Sequence, residues 1–218
     1  MVKDIIKFFK LSKYSKEFNI SWIACILFLG LWLSMQYFIT KGVKDDCSDL
    51  FVPTAILVMS VIQLLTPMRS LITSKLFCSS HYHKVLSTTV YYLIATLYGL
   101  FIEILQFIVF SVGISSKQGT YMLILVAVLF FETEIFITFS LKFFVPSILG
   151  FLGLYAFEML SDDFMKAIAS IDLSLISSMF VGMIIIIAGG IVSHITARIL
   201  YRYSYIKSID QTQKNDII

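Results

Sequence analysis

Long apolar runs are the feature of this sequence that most constrains its fold. Of its 218 residues, 58% are hydrophobic and 14% are charged, whereas soluble domains average about 45–50% apolar and about 25% charged residues. A helix needs about 20 apolar residues to cross a bilayer. The sequence therefore predicts an all-α, polytopic membrane protein and excludes a catalytic soluble domain.

Hydropathy predicts six transmembrane helices. They cover residues 19–40, 50–72, 85–113, 120–141, 143–160 and 175–201. With the segment at 1–18 they form one predicted membrane domain over residues 1–206, followed by a polar C-terminal tail at 207–218. The first apolar run is not followed by a small-residue cleavage site, so we expect it to be retained as a span.

The basic residues predict the orientation of the spans. Lysines and arginines concentrate before the first span, at 69–84, at Lys142 and after Arg198, whereas the intervening connections are acidic or nearly neutral. By the positive-inside rule, both termini are cytoplasmic. The net charge of +3 gives no indication of nucleic-acid binding.

The segment at 1–18 combines lysines with bulky apolar side chains. Ile5, Ile6, Phe8 and Phe9 lie among five lysines. This pattern is typical of a basic amphipathic helix that lies in the inner headgroup region. The alternative is a solvated basic segment that only sets the topology.

A polar stripe runs along the third predicted span. Its members recur at steps of three and four residues and share one helix face: Thr89, Tyr92, Thr96, Gly99, Glu103 and Gln106. A charged residue at mid-bilayer costs about 2.5–3.5 kcal/mol on insertion scales, so Glu103 should face protein or water and either pair or take up a proton. The stripe is interpreted either as a substrate path or as a packing face with one hydrogen-bonded Glu.

Three further acids lie in or near the spans. Glu132 and Glu134 are two positions apart and should point to nearly opposite sides of the fourth helix, so at least one should meet another helix or subunit. Glu158 lies near the outer end of the fifth span, where it can reach headgroups or water. Local structural roles are the default for all three.

The sixth span contains small residues in its apolar run. Gly182, Gly189 and Gly190 allow a neighbouring helix to approach closely, and the adjacent pair permits a bend. Close helix packing is the simpler interpretation.

Cys78, His81 and His83 are the strongest candidates for metal or nucleophilic chemistry. His81 and His83 would diverge on a helix, and zinc needs more ligands than this short connection supplies. We therefore expect no metal site here, only a solvated connection. Cys25 and Cys47 lie in other parts of the topology, so no disulfide is expected.

Several nucleotide-binding and catalytic signatures are absent from the sequence. It contains no G-x-x-x-x-G-K-S/T, H-E-x-x-H or G-x-S-x-G motif. The chain itself is therefore expected to bind no cofactor. Active transport would draw its energy from an ion gradient or from a partner subunit.

The layout resembles the membrane subunit of a type-2 ABC exporter, a family of bacterial peptide and antibiotic exporters. The likeness covers nearly the whole chain and rests on the basic segment at 1–18, six spans with both ends inside, the long inner connection at 69–84, the short one at Lys142 and the outer stretch at 158–174.

This resemblance implies a multi-pass permease in the bacterial cell membrane that is not itself an enzyme. Two permease chains, identical or different, would join two ABC ATPase subunits that hold ATP and magnesium. The first inner loop would couple to the ATPase, here as a region that includes Ser74, Lys75, His81, His83 and Lys84. An amphipathic peptide or a lipid-like molecule is the expected substrate.

Two other classes remain open. A membrane-embedded peptide-processing cysteine protease would use Cys78 and the nearby histidines. A substrate-binding membrane component of a vitamin importer would also need separate ATPases, but small residues usually line its first span, whereas Trp22, Phe28 and Trp32 make this one bulky.

Overall fold

Five long helices dominate the part of the chain that the structure describes. The computed structural model describes residues 18–42, 51–72, 89–113, 116–140, 149–154 and 172–215, together with positions 6, 10, 13, 146 and 170. The helices are α1 (Phe18–Gly42), α2 (Phe51–Ile72), α3 (Tyr91–Gly113), α4 (Ser116–Ser140) and α5 (Leu175–Asn215). These ranges contain no strand, which confirms the all-α prediction for the described residues.

Four of these helices are long and apolar enough to cross a membrane. Their apolar stretches are Phe18–Met35, Tyr91–Val112, Gly119–Phe139 and Leu175–Leu200. α2 covers the second predicted span, but the apolar stretch found in its described part, Ile56–Pro67, is shorter than a bilayer crossing. The helices indicate a multi-pass membrane protein, whereas the count of six spans and the placement of both ends inside stay predictions.

Parts of the predicted layout lie outside the described residues. Within the fifth predicted span, position 146 and residues 149–154 are described, and all of them are helical. Within the predicted interfacial segment, positions 6 and 10 are helical. α5 begins where Ser174 accepts a hydrogen bond from the backbone N–H of Ser177 at 3.2 Å, and it continues beyond the predicted end of the sixth span.

The helices pack in two groups. α1 packs mainly against α2, and we call these two helices the α1–α2 pair. α3, α4 and α5 pack mainly against one another and form the α3–α5 group, which meets the pair through fewer contacts. α4 is the central helix, because 67% of its apolar stretch is buried, against 17% in α1. An apolar surface all round suits α4 to this position.

Large apolar side chains fill the space between the two groups. One continuous cluster includes Trp32 from α1, Leu65 from α2, Ile102 from α3, Phe130 from α4 and Ile186 from α5. A second cluster surrounds the first half of α4 and is built around Phe110 and Leu123. The core therefore joins all five helices, although α1 and α5 leave much of their apolar surface uncovered.

Candidate functional site

The polar stripe of α3 lies against its neighbouring helices. Glu103 and Gln106 are completely buried, and Tyr92 is almost so. Gly99 is buried as well, while Thr89, just before α3, and Thr96 are half-buried. The predicted stripe therefore faces protein in this structure.

Three glycines of α5 make room for polar side chains of α3 and α4. A Cβ atom added to Gly182 would overlap the Glu103 carboxyl group, and one on Gly190 would overlap the Thr96 hydroxyl. At Gly189 it would overlap the Glu134 carboxyl group and lie 3.0 Å from the Cα atom of Phe131. Gly182 and Gly189, seven residues apart, lie on one face of α5, and the adjacent Gly190 widens this small-residue surface towards α3, so α5 can approach both partners closely.

We call this contact region the polar seam. It consists of Tyr92, Thr96, Gly99, Glu103 and Gln106 on α3, Glu134 on α4, and Gly182, Gly189 and Gly190 on α5. The structure thus combines two features that the sequence offered separately, the stripe and the glycines. α5 stays helical through its glycine pair, so the pair serves close approach and does not end the helix.

Hydrogen bonds satisfy part of the seam. The Thr96 hydroxyl lies 2.8 Å from Glu134 Oε1 and 3.0 Å from the carbonyl oxygen of Tyr92, and its proton can be donated to either. Gln106 Nε2 donates to the carbonyl oxygen of Met122 at 3.4 Å. The seam is therefore tied across α3 and α4 by side-chain hydrogen bonds.

Buried polar atoms without a hydrogen-bond partner remain in the seam, and Glu103 carries two of them; among the described residues the Tyr92 hydroxyl and Oε1 of Gln106 also lack a partner. Neither carboxyl oxygen of Glu103 has a hydrogen-bond partner among the described residues, and the same holds for Oε2 of Glu134. Burying a polar group without a hydrogen bond costs about 1–3 kcal/mol in proteins, and more if the group is charged. The seam therefore holds a carboxyl group that its immediate packing does not stabilise.

Most serine and threonine hydroxyl groups in α3 and α4, unlike the Glu103 carboxyl group, have a hydrogen-bond partner. Thr133 donates to the carbonyl oxygen of Leu129 at 2.6 Å, and Thr138 donates to that of Glu134 at 2.9 Å. Bonds of this kind satisfy a hydroxyl within its own helix. The carboxyl groups of α3 and α4 are therefore better candidates for a functional role than Thr133 and Thr138, whose hydroxyls are satisfied within their own helix.

A second polar contact joins the two helix groups. The Tyr98 hydroxyl of α3 lies 3.0 Å from Ser60 Oγ of α2 and 3.7 Å from Cys25 Sγ of α1. We call this contact the tyrosine joint. This contact was not predicted from the sequence, although a tyrosine within a span needs a partner for its hydroxyl. The sequence does not show which helix supplies that partner.

Several candidate residues named from the sequence fall outside the part of the chain that the structure describes. The predicted coupling residues Ser74, Lys75, His81, His83 and Lys84 lie outside the described residues, and so do Cys78 and Glu158. The described residues contain no group of three His, Cys, Asp or Glu side chains that could hold a metal ion. Among the described residues, the polar seam and the tyrosine joint are therefore the candidate sites that polar contacts between helices provide.

Glu132 and Glu134 diverge, as their spacing predicts. Glu134 enters the polar seam, whereas Glu132 lines a cavity between α4 and residues 149–154. The prediction that one of them meets another helix is confirmed by Glu134.

No protein-family model, curated protein or solved structure matches this chain.

Proposed function

We propose that this chain is the membrane-spanning permease subunit of an ATP-driven ABC exporter. With a second permease chain it forms the path for an amphipathic peptide or lipid-like substrate, and separate ATPase subunits hydrolyse ATP. The membrane is the bacterial cell membrane, and both termini lie on its cytoplasmic side. The apolar helices and the resemblance in layout support this proposal.

The division into two helix groups is the observation that carries the proposal. The α1–α2 pair ends at Ile72 and the α3–α5 group begins at Tyr91. The predicted coupling region lies in the connection between them. A force applied there by an ATPase acts on the boundary between the two groups, where contacts are fewer than within each group.

In this mechanism the tyrosine joint is a point about which the groups move. One hydroxyl of α3 meets side chains of both α1 and α2, so a small rotation of the pair breaks or remakes few polar contacts. A substrate path along the α3 stripe further requires α5 to move away from α3, because the glycine contacts close the polar seam in this structure.

The test is to purify the tagged chain from its native membrane with its partners and to measure ATP hydrolysis. Alanine substitution of Lys75, His83 and Lys84 together should remove most of the co-purified ATPase activity. Lys117→Ala, in a connection predicted to lie outside, should leave that activity unchanged. Export that persists without any ATPase, or that survives the triple substitution, would contradict the proposal.

A further inference from the structure

The place where α5 closes over Glu103 carries a further inference. Both carboxyl oxygens of Glu103 are buried, and neither has a hydrogen-bond partner among the described residues. The group lies directly against Gly182 of α5, where an added Cβ atom would overlap Oε1 and lie 2.9 Å from Cδ. The α4 side chain beside this contact is apolar, since the same Cβ atom would lie 3.4 Å from that of Ala127. The described residues of the closed seam therefore offer this carboxyl group no hydrogen-bond donor.

No basic residue of the described helices lies close to Glu103. On α5 the first basic residues after Gly182 are His194 and Arg198, which lie about 18 Å and about 24 Å further along the helix at 1.5 Å per residue. On α4 the single basic residue, Lys117, lies about 15 Å before the residue beside Glu103. An ion pair requires its N and O atoms within about 4 Å. Even extended side chains do not cover these distances, so Glu103 has no counter-charge in this part of the chain.

The other titratable groups on the packed helices do not supply a positive charge. In the described parts of α3 and α4 they carry either a negative charge or none: Tyr91, Tyr92, Tyr98, Tyr121, Glu132 and Glu134. The apolar stretches of α1 and α2 contain no basic residue. A charged Glu103 would therefore be buried without compensation, which costs far more than burying a neutral acid. A proton removes the charge and needs no additional space in the contact.

We propose that Glu103 is a proton-binding site and that its proton is required for α5 to close on α3. In the closed seam the side chain is the neutral acid. When α5 moves away, the carboxyl group meets water, its O–H bond breaks and the proton passes to water, which leaves a hydrated carboxylate. The movement of α5 is the one that the proposed function requires, but neither an ATPase nor a substrate enters this proposal. Because the closed seam binds the proton and the open seam releases it, acid favours closure and alkali favours opening.

The first experiment asks whether Glu103 carries the proton. Infrared spectra of the purified full chain in lipid vesicles distinguish a carboxylic acid from a carboxylate by its C=O stretching band. At neutral pH the unmodified protein should show an acid band that Glu103→Gln removes. Asp172→Asn, at an exposed position, should keep the band. A band that Glu103→Gln leaves unchanged would overturn the proposal. Complete absence of an acid band from the unmodified protein would overturn it without any variant.

The second experiment measures how the proton is coupled to opening of the seam. Ser193 is completely buried and follows Gly189 by four residues on the same face of α5. In a chain whose native cysteines are replaced by alanine, Ser193→Cys should react with a thiol reagent only when α5 moves away. Its labelling rate is divided by that of Ser111→Cys, at an exposed position of α3, to remove the pH dependence of the thiol chemistry.

The divided rate should rise about tenfold per pH unit while the closed seam keeps its proton, because each opening releases one proton. Glu103→Gln should make it independent of pH. Glu132→Gln is the matched control, since it changes a glutamate of α4 outside the seam, and it should keep the dependence. A rate in the unmodified background that is zero or constant with pH would overturn the proposal. So would a pH dependence that Glu103→Gln keeps or that Glu132→Gln also removes. Neither readout involves ATP hydrolysis, so such a failure would leave the exporter function standing.

Discussion

The α3–α5 group and the α1–α2 pair are both apolar, yet they are held together differently. The α3–α5 group depends on glycines that bring α5 against carboxyl and hydroxyl groups. In the α1–α2 pair, a Cβ atom added to Gly30 meets no atom of the described residues within 4 Å, and the buried residues of the pair include large side chains such as Trp32 and Leu65. Because α5 lies so close to its partners, the α3–α5 group should not tolerate a larger side chain at these glycines. The α1–α2 pair should tolerate one at Gly30.

The largest effect is expected from enlarging a seam glycine. Gly189→Leu should destabilise the protein by about 3 kcal/mol or more, because the new side chain meets the backbone of Phe131 as well as Glu134. Thermal unfolding followed by size-exclusion chromatography in detergent measures the change. Gly30→Leu is the matched control and should leave the unfolding temperature nearly unchanged. Equal loss of stability in both variants would remove the distinction between the two groups.

Replacing Glu103 tests whether a residue of the polar seam is needed for transport although it lowers the stability of the protein. Glu103→Met should stabilise the protein by about 1–2 kcal/mol, because it removes a buried carboxyl group without a hydrogen-bond partner in the described part of the chain. If the stripe lines the substrate path, the same variant should lose export. A variant that is less stable than the parent protein would show that Glu103 is well satisfied in the folded protein.

Glu134 provides the comparison within the seam. Because Thr96 donates to its carboxyl group, Glu134→Met should be less favourable to stability than Glu103→Met by about 1 kcal/mol. The unfolding temperatures of the two variants, measured side by side, check this order. The reverse order would mean that the Thr96 hydrogen bond adds nothing to stability.

The tyrosine joint tests the contact between the two groups. Tyr98→Phe and Ser60→Ala should each cost about 1 kcal/mol, because each removes one side of the same contact. In the double variant the effects should be less than additive, with a coupling energy of about 0.5–1 kcal/mol. Ser34→Ala is a suitable control, since Ser34 bonds within its own helix at an exposed position. Fully additive effects would show that the two hydroxyls act separately.

The smallest effect is expected outside both groups. Cys78→Ala should leave export unchanged, because the proposed function assigns no chemistry to that thiol. Export from cells that carry the variant is the measurement. If the substitution instead abolished release of a processed peptide while the chain was still produced, the protease class would replace the exporter.

The sequence predicted the stripe but not the residues that it contacts. The spacing of Tyr92, Glu103 and Gln106 placed them on one face because α-helical geometry depends only on local positions. That Gly182 would lie opposite Glu103 depends on the rotation of α5 about its own axis, and local spacing carries no information about that rotation. The same reason explains why the Tyr98 contact with Ser60 was missed.

For the spans, too, one property was predictable from the sequence and another was not. The ranges of α1, α2 and α4 follow the predicted spans to within four residues at each end, and α3 ends at the predicted residue, Gly113, because a bilayer requires long apolar helices and the sequence displays them directly. The relative burial of the helices was not predicted. α4 and α5 are both strongly apolar, yet α4 is central and α5 is more exposed.

Local chemistry alone therefore determined that this chain forms apolar helices, and it determined which residues share a face on each of them. Tertiary packing decided that the carboxyl groups of Glu103 and Glu134 meet glycines of α5 and that Glu132 faces a cavity. The physical reason is that hydropathy and helical periodicity are properties of neighbouring residues, whereas a contact between helices depends on the fit of two surfaces distant in sequence.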